Sequence, residues 1–273
     1  MKAEQARELT DEALARLADA LDEGKSEELT RFLGAVAKFH RYSFGNVMLI
    51  MSQKPDATQV AGFNAWRSFN RFVKKGEKGI VIIAPMMLKP REDAPSGEDG
   101  KPILRFRGVH VFDISQTDGE PLPELRNFCG DPGVYSERIR SLITARGIEL
   151  RFEESLGSAD GLSSGGTIVI KTGLPVAEEF SVLVHELAHE MLHHGTGAVR
   201  GSKTQRETEA EAVAFVVSTA IGIDCRTSSS DYIHLYNGDK GTLAASLDRI
   251  QKTACEVITA MLAEPADGKT LAN

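Results

Sequence analysis

Residues 180–194, F-S-V-L-V-H-E-L-A-H-E-M-L-H-H, constrain this chain more than any other stretch. Apolar residues at 180, 183, 184, 187, 188, 191 and 192 form one stripe at helical spacing. Glu178 and Glu179 stand near the start of that helix, His193 and His194 near its end, and Gly195 follows. This order suits the helix dipole and a glycine stop. His185 and His189 are four residues apart, so they share one helical face one turn apart, and their ring nitrogens can meet at a single metal ion. Glu186 projects at a neighbouring angle and can reach a water at that ion. Two histidine ligands, an open coordination position and a general base are what an H-E-x-x-H helix offers. The competing reading is a buried helix whose histidines are satisfied by hydrogen bonds. The glutamate between them weighs against it.

A catalytic zinc of the zincin type takes three protein ligands. The segment T-Q-R-E-T-E-A-E-A-V-A-F-V-V from Thr204 reads as a second helix ending near Gly222 and supplies candidates. Glu207 and Glu211 share a face, whereas Glu209 points elsewhere. In a Glu-x-x-x-acid pair the first carboxylate binds metal and the second orients a ligating histidine. The expectation is therefore Glu207 on the ion and Glu211 hydrogen-bonded to His185 or His189, with Glu211 as the alternative ligand. Thr204-x-x-Glu207 also fits a capping box. His193 and His194 are expected at an exposed helix end, with an inward-facing His193 as the alternative. Tyr232 is a candidate oxyanion stabiliser, although packing explains it equally simply.

The chain has 273 residues, enough for one large domain or two moderate ones. No apolar run is long enough to span a membrane. The charged start M-K-A-E-Q-A-R-E has no apolar signal core, which gives a cytoplasmic expectation. Three widely spaced cysteines suggest neither a disulfide framework nor a cysteine metal site. The net charge of -7 conceals a polarity: residues 30–110 hold 14 Lys/Arg against 6 Asp/Glu, a balance of +8, which leaves -15 for the rest. A basic segment within an acidic chain suggests a polyanion-binding part joined to something else.

In chain order, helices are expected over 3–23, 26–39 and 62–70, the last around Trp66. An apolar helical stretch, 47–51, ends before Pro55. A basic glycine turn, V-K-K-G-E-K-G (73–79), feeds a strand at 80–85. A strand at 104–112 returns after a polar Pro/Gly loop, as in a β-hairpin or small sheet. Residues 115–133 carry few signals of regular structure and are expected to be a linker. A helix at 134–146, strands at 147–153 and 167–171, the two metal helices and a helix at 241–263 complete the reading. The fold class is α+β, with a domain at 1–114, the linker at 115–133 and a second domain at 134–273.

Lys74, Lys75, Lys78, Arg71 and Arg67 lie close in sequence to Trp66, Phe63, Phe69 and Phe72. Cations interleaved with aromatics suit single-stranded nucleic acid, where charges track phosphates and rings stack on unpaired bases. Alternatively, the rings are core and the lysines solvate a turn.

The stretches Y-S-F-G-N-V-M-L-I (42–50), A-T-Q-V-A-G-F-N-A-W (57–66), V-K-K-G-E-K-G-I (73–80) and V-F-D-I-S-Q-T-D-G-E-P-L-P (111–123) resemble the N-terminal domain of the ArdC antirestriction family. H-E-L-A-H-E (185–190) and E-T-E-A-E-A-V-A-F-V-V (207–217) resemble that family's zincin-like metallopeptidase domain, itself similar to ImmA/IrrE peptidases. The resemblance spans roughly residues 30–262. It implies a domain that binds single-stranded DNA followed by a Zn2+-dependent peptidase-like domain, in a protein carried on plasmids or other mobile elements. One departure is Asn70, where a glycine usually precedes the V-K-K-G turn; Asn tolerates the left-handed conformation, so the turn is expected to survive. In the expected hydrolysis, Zn2+ and Glu186 activate a water against a peptide carbonyl, and Glu186 passes the proton to the leaving amine. Two other functions fit the same residues. One is a DNA-binding shield with a structural metal; the other is a regulatory peptidase acting on a repressor-like protein.

Overall fold

A computed structural model of the protein describes residues 3–88, 103–122, 131–194, 201–223 and 239–263. The chain forms two compact units, residues 1–19 with 42–123 and residues 20–41 with 124–273.

The first unit begins with α1 (Ala3–Asp22), most of which belongs to it. Ser43 is the N-cap residue of α3 (Phe44–Gln53), whose Val47, Met48, Leu49 and Ile50 are buried. Then come β1 (Val60–Gly62), α4 (Phe63–Ser68), β2 (Arg71–Val73), β3 (Ile80–Leu88), β4 (Ile103–Asp113), a 3-10 turn (Ile114–Gln116) and β5 (Thr117–Gly119). β1, β4 and β3 form an antiparallel sheet in that order, and β2 pairs with β5 in an antiparallel ribbon. The expected β3–β4 pairing is present. β3 is an edge strand, and α3 covers the free groups of its first half. The Asn46 amide exchanges two hydrogen bonds with the backbone of Ile83, at 2.9 and 2.8 Å. Gln53 does the same with Val81, at 2.8 and 2.9 Å. Such side-chain pairing satisfies an edge that would otherwise recruit another strand.

The turn at Asn70 forms as expected, with φ of 55°. The expected linker does not begin at residue 115. Residues 113–119 are bound into the first unit by their polar side chains. The Asp113 carboxylate accepts from the N–H groups of Thr58, Gln59 and Ser115 at 2.7–3.1 Å. Burial opposes its charge, but these hydrogen bonds outweigh burial and hold its pKa low. Gln116 donates to Glu77 Oε2 and to Lys78 O, both at 2.9 Å, which fastens the basic turn.

The second unit contains α2 (Ser26–Lys38), which packs on α7 and buries Leu29, Phe32, Leu33 and Val36, rather than joining the first unit. α5 (Val134–Ala145), β6 (Glu149–Glu153), β7 (Gly161–Ser163) and β8 (Thr167–Lys171) follow. β8 is central, parallel to β6 and antiparallel to β7. α6 (Val176–His193), α7 (Lys203–Ala220) and α8 (Lys240–Leu262) complete the unit. Their core includes Phe180, Leu183, Val184, Leu187, Val213, Val217, Leu247, Ile250 and Val257, all buried. None of the described helices is long and apolar enough to cross a membrane.

Candidate metal centre

α6 carries the H-E-x-x-H residues on its inner faces. Leu183, Val184, Leu187 and Ala188 are buried, which fixes the rotation of the helix and turns His185 and His189 toward α7. Ser202 caps α7, its hydroxyl accepting from the Gln205 N–H at 3.1 Å. The alternative cap at Thr204 is therefore not used, and Glu207 lies within the helix. One turn later Glu211 stacks beneath it.

One donor atom from each of His185, His189 and Glu207 lies within 4.8 Å of the others. The two Nε2 atoms are 3.1 Å apart. Glu207 Oε2 is 3.6 Å from His185 Nε2 and 3.3 Å from His189 Nε2. A tetrahedral ion with bonds of about 2.0–2.1 Å holds its ligands roughly 3.3–3.4 Å apart, so this triangle has the size of a metal site. Glu211 Oε2 is 3.6 Å from His185 Nδ1, on the other side of the ring from Glu207. That placement suits a carboxylate that orients a ligating histidine, leaving Nε2 for the ion.

The electrostatics follow from this crowding. Burial opposes charge on His185, but the neighbouring carboxylates of Glu207 and Glu211 outweigh it and push its pKa up to about 9. Burial and the neighbouring His185 charge lower His189 to about 4. Glu207, beside the His185 ring, is lowered to about 2. Burial raises Glu186, against the lowering pull of His185 and Ser163. A buried carboxylate with a raised pKa beside a metal-sized donor triangle suits a general base.

Sequence reasoning missed one feature and left another open. Glu190 is buried, and its two oxygens accept from the Gly165 and Gly166 N–H groups, each at 2.8 Å. His193 is not exposed at the helix end. Its side chain is 3% accessible and its Nε2 faces Arg206 O at 3.2 Å and Glu209 Oε2 at 3.7 Å. Glu209, which points away from the site as expected, also accepts from Ser246 Oγ at 2.6 Å and from Arg249. Tyr232 lies outside the described residues.

The basic segment divides into structural and exposed residues. Trp66, a proposed base-stacking residue, is 2% accessible, and its indole N–H donates to Phe112 O at 2.8 Å. Arg71, a proposed phosphate contact, is buried, and its guanidinium donates to Thr117 Oγ1 and to the carbonyls of Thr117, Gly119 and Glu120. Neither presents its polar group to a ligand. Lys74 donates to Ser115 O at 3.0 Å and stands 3.6 Å from Asp118. Arg67, Lys75 and Lys78 are exposed. The rings open to solvent are Phe63, Phe69, Phe72 and, unanticipated, Phe106 on β4, each about half accessible (49–56%). Arg105 and Arg107 flank Phe106 and are also exposed. The strand was legible in the sequence; that Phe106 lies uncovered was not.

Residues 3–112 match the family model for the N-terminal domain of anti-restriction factor ArdC. The mixed helix-and-sheet fold is similar to that of the antirestriction ArdC protein from the R388 plasmid. The metal-free crystal structure of that protein aligns with a TM-score of 0.53 at 19% identity, covering 93% of this chain and 97% of the other. The Mn(II)-bound crystal structure aligns with a TM-score of 0.52 at 18% identity, covering 93% and 98%. An uncharacterized Bacillus anthracis protein, pXO2-81, is 26% identical over 301 residues, covering 93% of this chain. The chain spans about half the length of that relative (51%).

Proposed function

We propose that this chain is an antirestriction-type protein of a mobile element, with a first unit that binds single-stranded DNA and a second that is a divalent-metal-dependent peptidase. The observation that carries the second part is the donor triangle of His185, His189 and Glu207 with Glu186 beside it. Two imidazoles and one carboxylate form a donor set that suits Zn2+. The Mn(II)-bound form of the R388 protein supports a divalent metal in this fold. An ion bound there supplies Lewis acidity toward a carbonyl or a water.

The residues then have distinct tasks. His185, His189 and Glu207 hold the ion, and Glu211 fixes the ring of His185. Glu186 takes a proton from the attacking water and returns it to the leaving amine, which its raised pKa favours. In the first unit, Lys75, Lys78 and Arg67 supply positive charge, with Lys74 held at the edge of the turn. Phe63, Phe69, Phe72 and Phe106 offer sequence-tolerant stacking surfaces.

The experiment compares the wild type with Glu186→Gln, following cleavage of a denatured protein substrate with and without oligo(dT), and metal content throughout. Retained metal with lost cleavage supports the assignment. Equal cleavage by both proteins rules out Glu186 as the base. Full protection of DNA from restriction by the E186Q protein would instead make the chain a binding shield whose metal is structural.

A further inference from the structure

We propose that the β7–β8 hairpin is the seat of the Glu186 carboxylate, and that Gly161 and Glu190 are positioning residues for it; this rests on the metal-site reading above. Val182, Glu186 and Glu190 are spaced four apart on α6, so they form one axial row. All three meet the hairpin. A Cβ placed on Gly161 would stand 2.6 Å from Val182 Cγ1, 2.7 Å from Glu186 Oε1 and 2.8 Å from Glu186 Cγ. Ser163, two residues further along β7, favours the charged form of Glu186. The turn that follows is held by Glu190 through the Gly165 and Gly166 N–H groups.

Each contact has a physical reason that points to placement. Gly161 is not among the positive-φ glycines, so the backbone there accepts any L residue. The need for glycine at this position is one of space, and Glu186 fills that space. Gly165 and Gly166 have φ of 71° and 108°, a conformation that aims successive N–H groups at one anion. A buried carboxylate is costly unless it is hydrogen-bonded. Glu190 obtains its two hydrogen bonds only while the hairpin lies against α6. A general base acts only within hydrogen-bond reach of its proton, so a wall that restricts the rotamers of Glu186 serves catalysis directly.

The test uses the full chain loaded with Co2+ alone, read by visible absorption and by metal stoichiometry, on wild type, E186Q, G161A, V182A and the G161A/E186Q double variant. The expected result is unchanged stoichiometry in G161A, with a spectral change in the same direction as in E186Q. The double variant should match E186Q alone, and V182A should match wild type. In metal-free protein, E190Q should speed amide exchange of Gly165 and Gly166 at least tenfold; this arm also serves if G161A does not fold. A wild-type Co2+ spectrum in G161A, or a change that adds in full to that of E186Q, would overturn the positioning role. Unchanged exchange in E190Q would remove the Glu190 clamp. A wild type that takes up no Co2+ contradicts the metal-site reading itself, a different failure from silent G161A in a metal-binding protein.

Discussion

The Glu211 carboxylate stands 3.6 Å from Nδ1 of His185, while Glu207 stands 3.6 Å from Nε2 of the same ring. One histidine is thus bracketed by two carboxylates from successive turns of α7. Removing either changes metal affinity for a different reason. Glu211→Gln keeps the ligand set but weakens the orientation of His185 and should lower affinity about 10–100-fold. Glu207→Gln removes a ligand and should lower it further. Competition titration against a chelator of known affinity checks both. Equal affinity in E207Q and wild type removes Glu207 from the metal.

The same bracket sets a pH dependence. His185 titrates near 9, above its ordinary 6.5, so the stability it contributes to the metal-free protein is fully present below 6.5 and is lost as pH rises through 9. His189 titrates near 4, so its stability is present above 6.5 and is lost as pH falls toward 4. Glu207, lowered from 4.5 to about 2, adds a further loss only below 4.5. For these groups the metal-free protein should be most stable near pH 6.5. Metal binding must displace the His185 proton, so it should release about one proton per ion near neutrality. Thermal melts across pH and calorimetry in buffers of different ionisation enthalpy test the two statements.

Substitutions in the first unit should separate DNA contacts from core. Lys75→Glu with Lys78→Glu should weaken oligo(dT) binding and flatten its dependence on salt, with the melting temperature unchanged. Phe72→Ala or Phe106→Ala should cost about 1–3 kcal/mol of binding per lost stack. Trp66→Ala should instead cost about 3–5 kcal/mol of stability. A stable W66A protein defective only in DNA binding contradicts the division drawn here.

Gly119 packs against the Asn70 turn, where an added Cβ would meet Asn70 O at 2.2 Å and Arg71 Cα at 2.8 Å. Gly119→Ala must therefore displace β5 from β2. Asn70→Ala leaves space unchanged and costs only about 1–2 kcal/mol for its left-handed backbone. G119A should melt lower than N70A, as read by thermal unfolding of each variant.

Much of this architecture was legible because periodicity reports burial. The stripe of α6 located that helix to within a few residues, and the expected bounds of β8 and α8 fall equally close. The pairing of His185 with His189 followed from helical spacing, since adjacent turns stack, whereas Glu207 on the next helix rested on the need for a third ligand. What stayed hidden depends on distant partners. β5 is three residues long and has no period; it exists because Arg71, Asp118 and Gln116 find partners across the unit. Trp66 and Arg71 looked like ligand contacts because sequence proximity to lysines says nothing of which way a ring faces. Glu190 and His193 sit in the most informative motif of the chain, yet their partners, a glycine turn and a buried α7 glutamate, leave no local signal. α2 reads as an amphipathic helix in either unit; its apolar stripe does not specify that α7 receives it.

The most direct test of the central claim is metal content measured together with oligo(dT) binding, on wild type and on the His185→Ala/His189→Ala variant. About one divalent ion per wild-type chain is expected, lost in the variant, with DNA affinity unchanged. A wild type that binds no divalent ion, or a variant that keeps its ion, would contradict it.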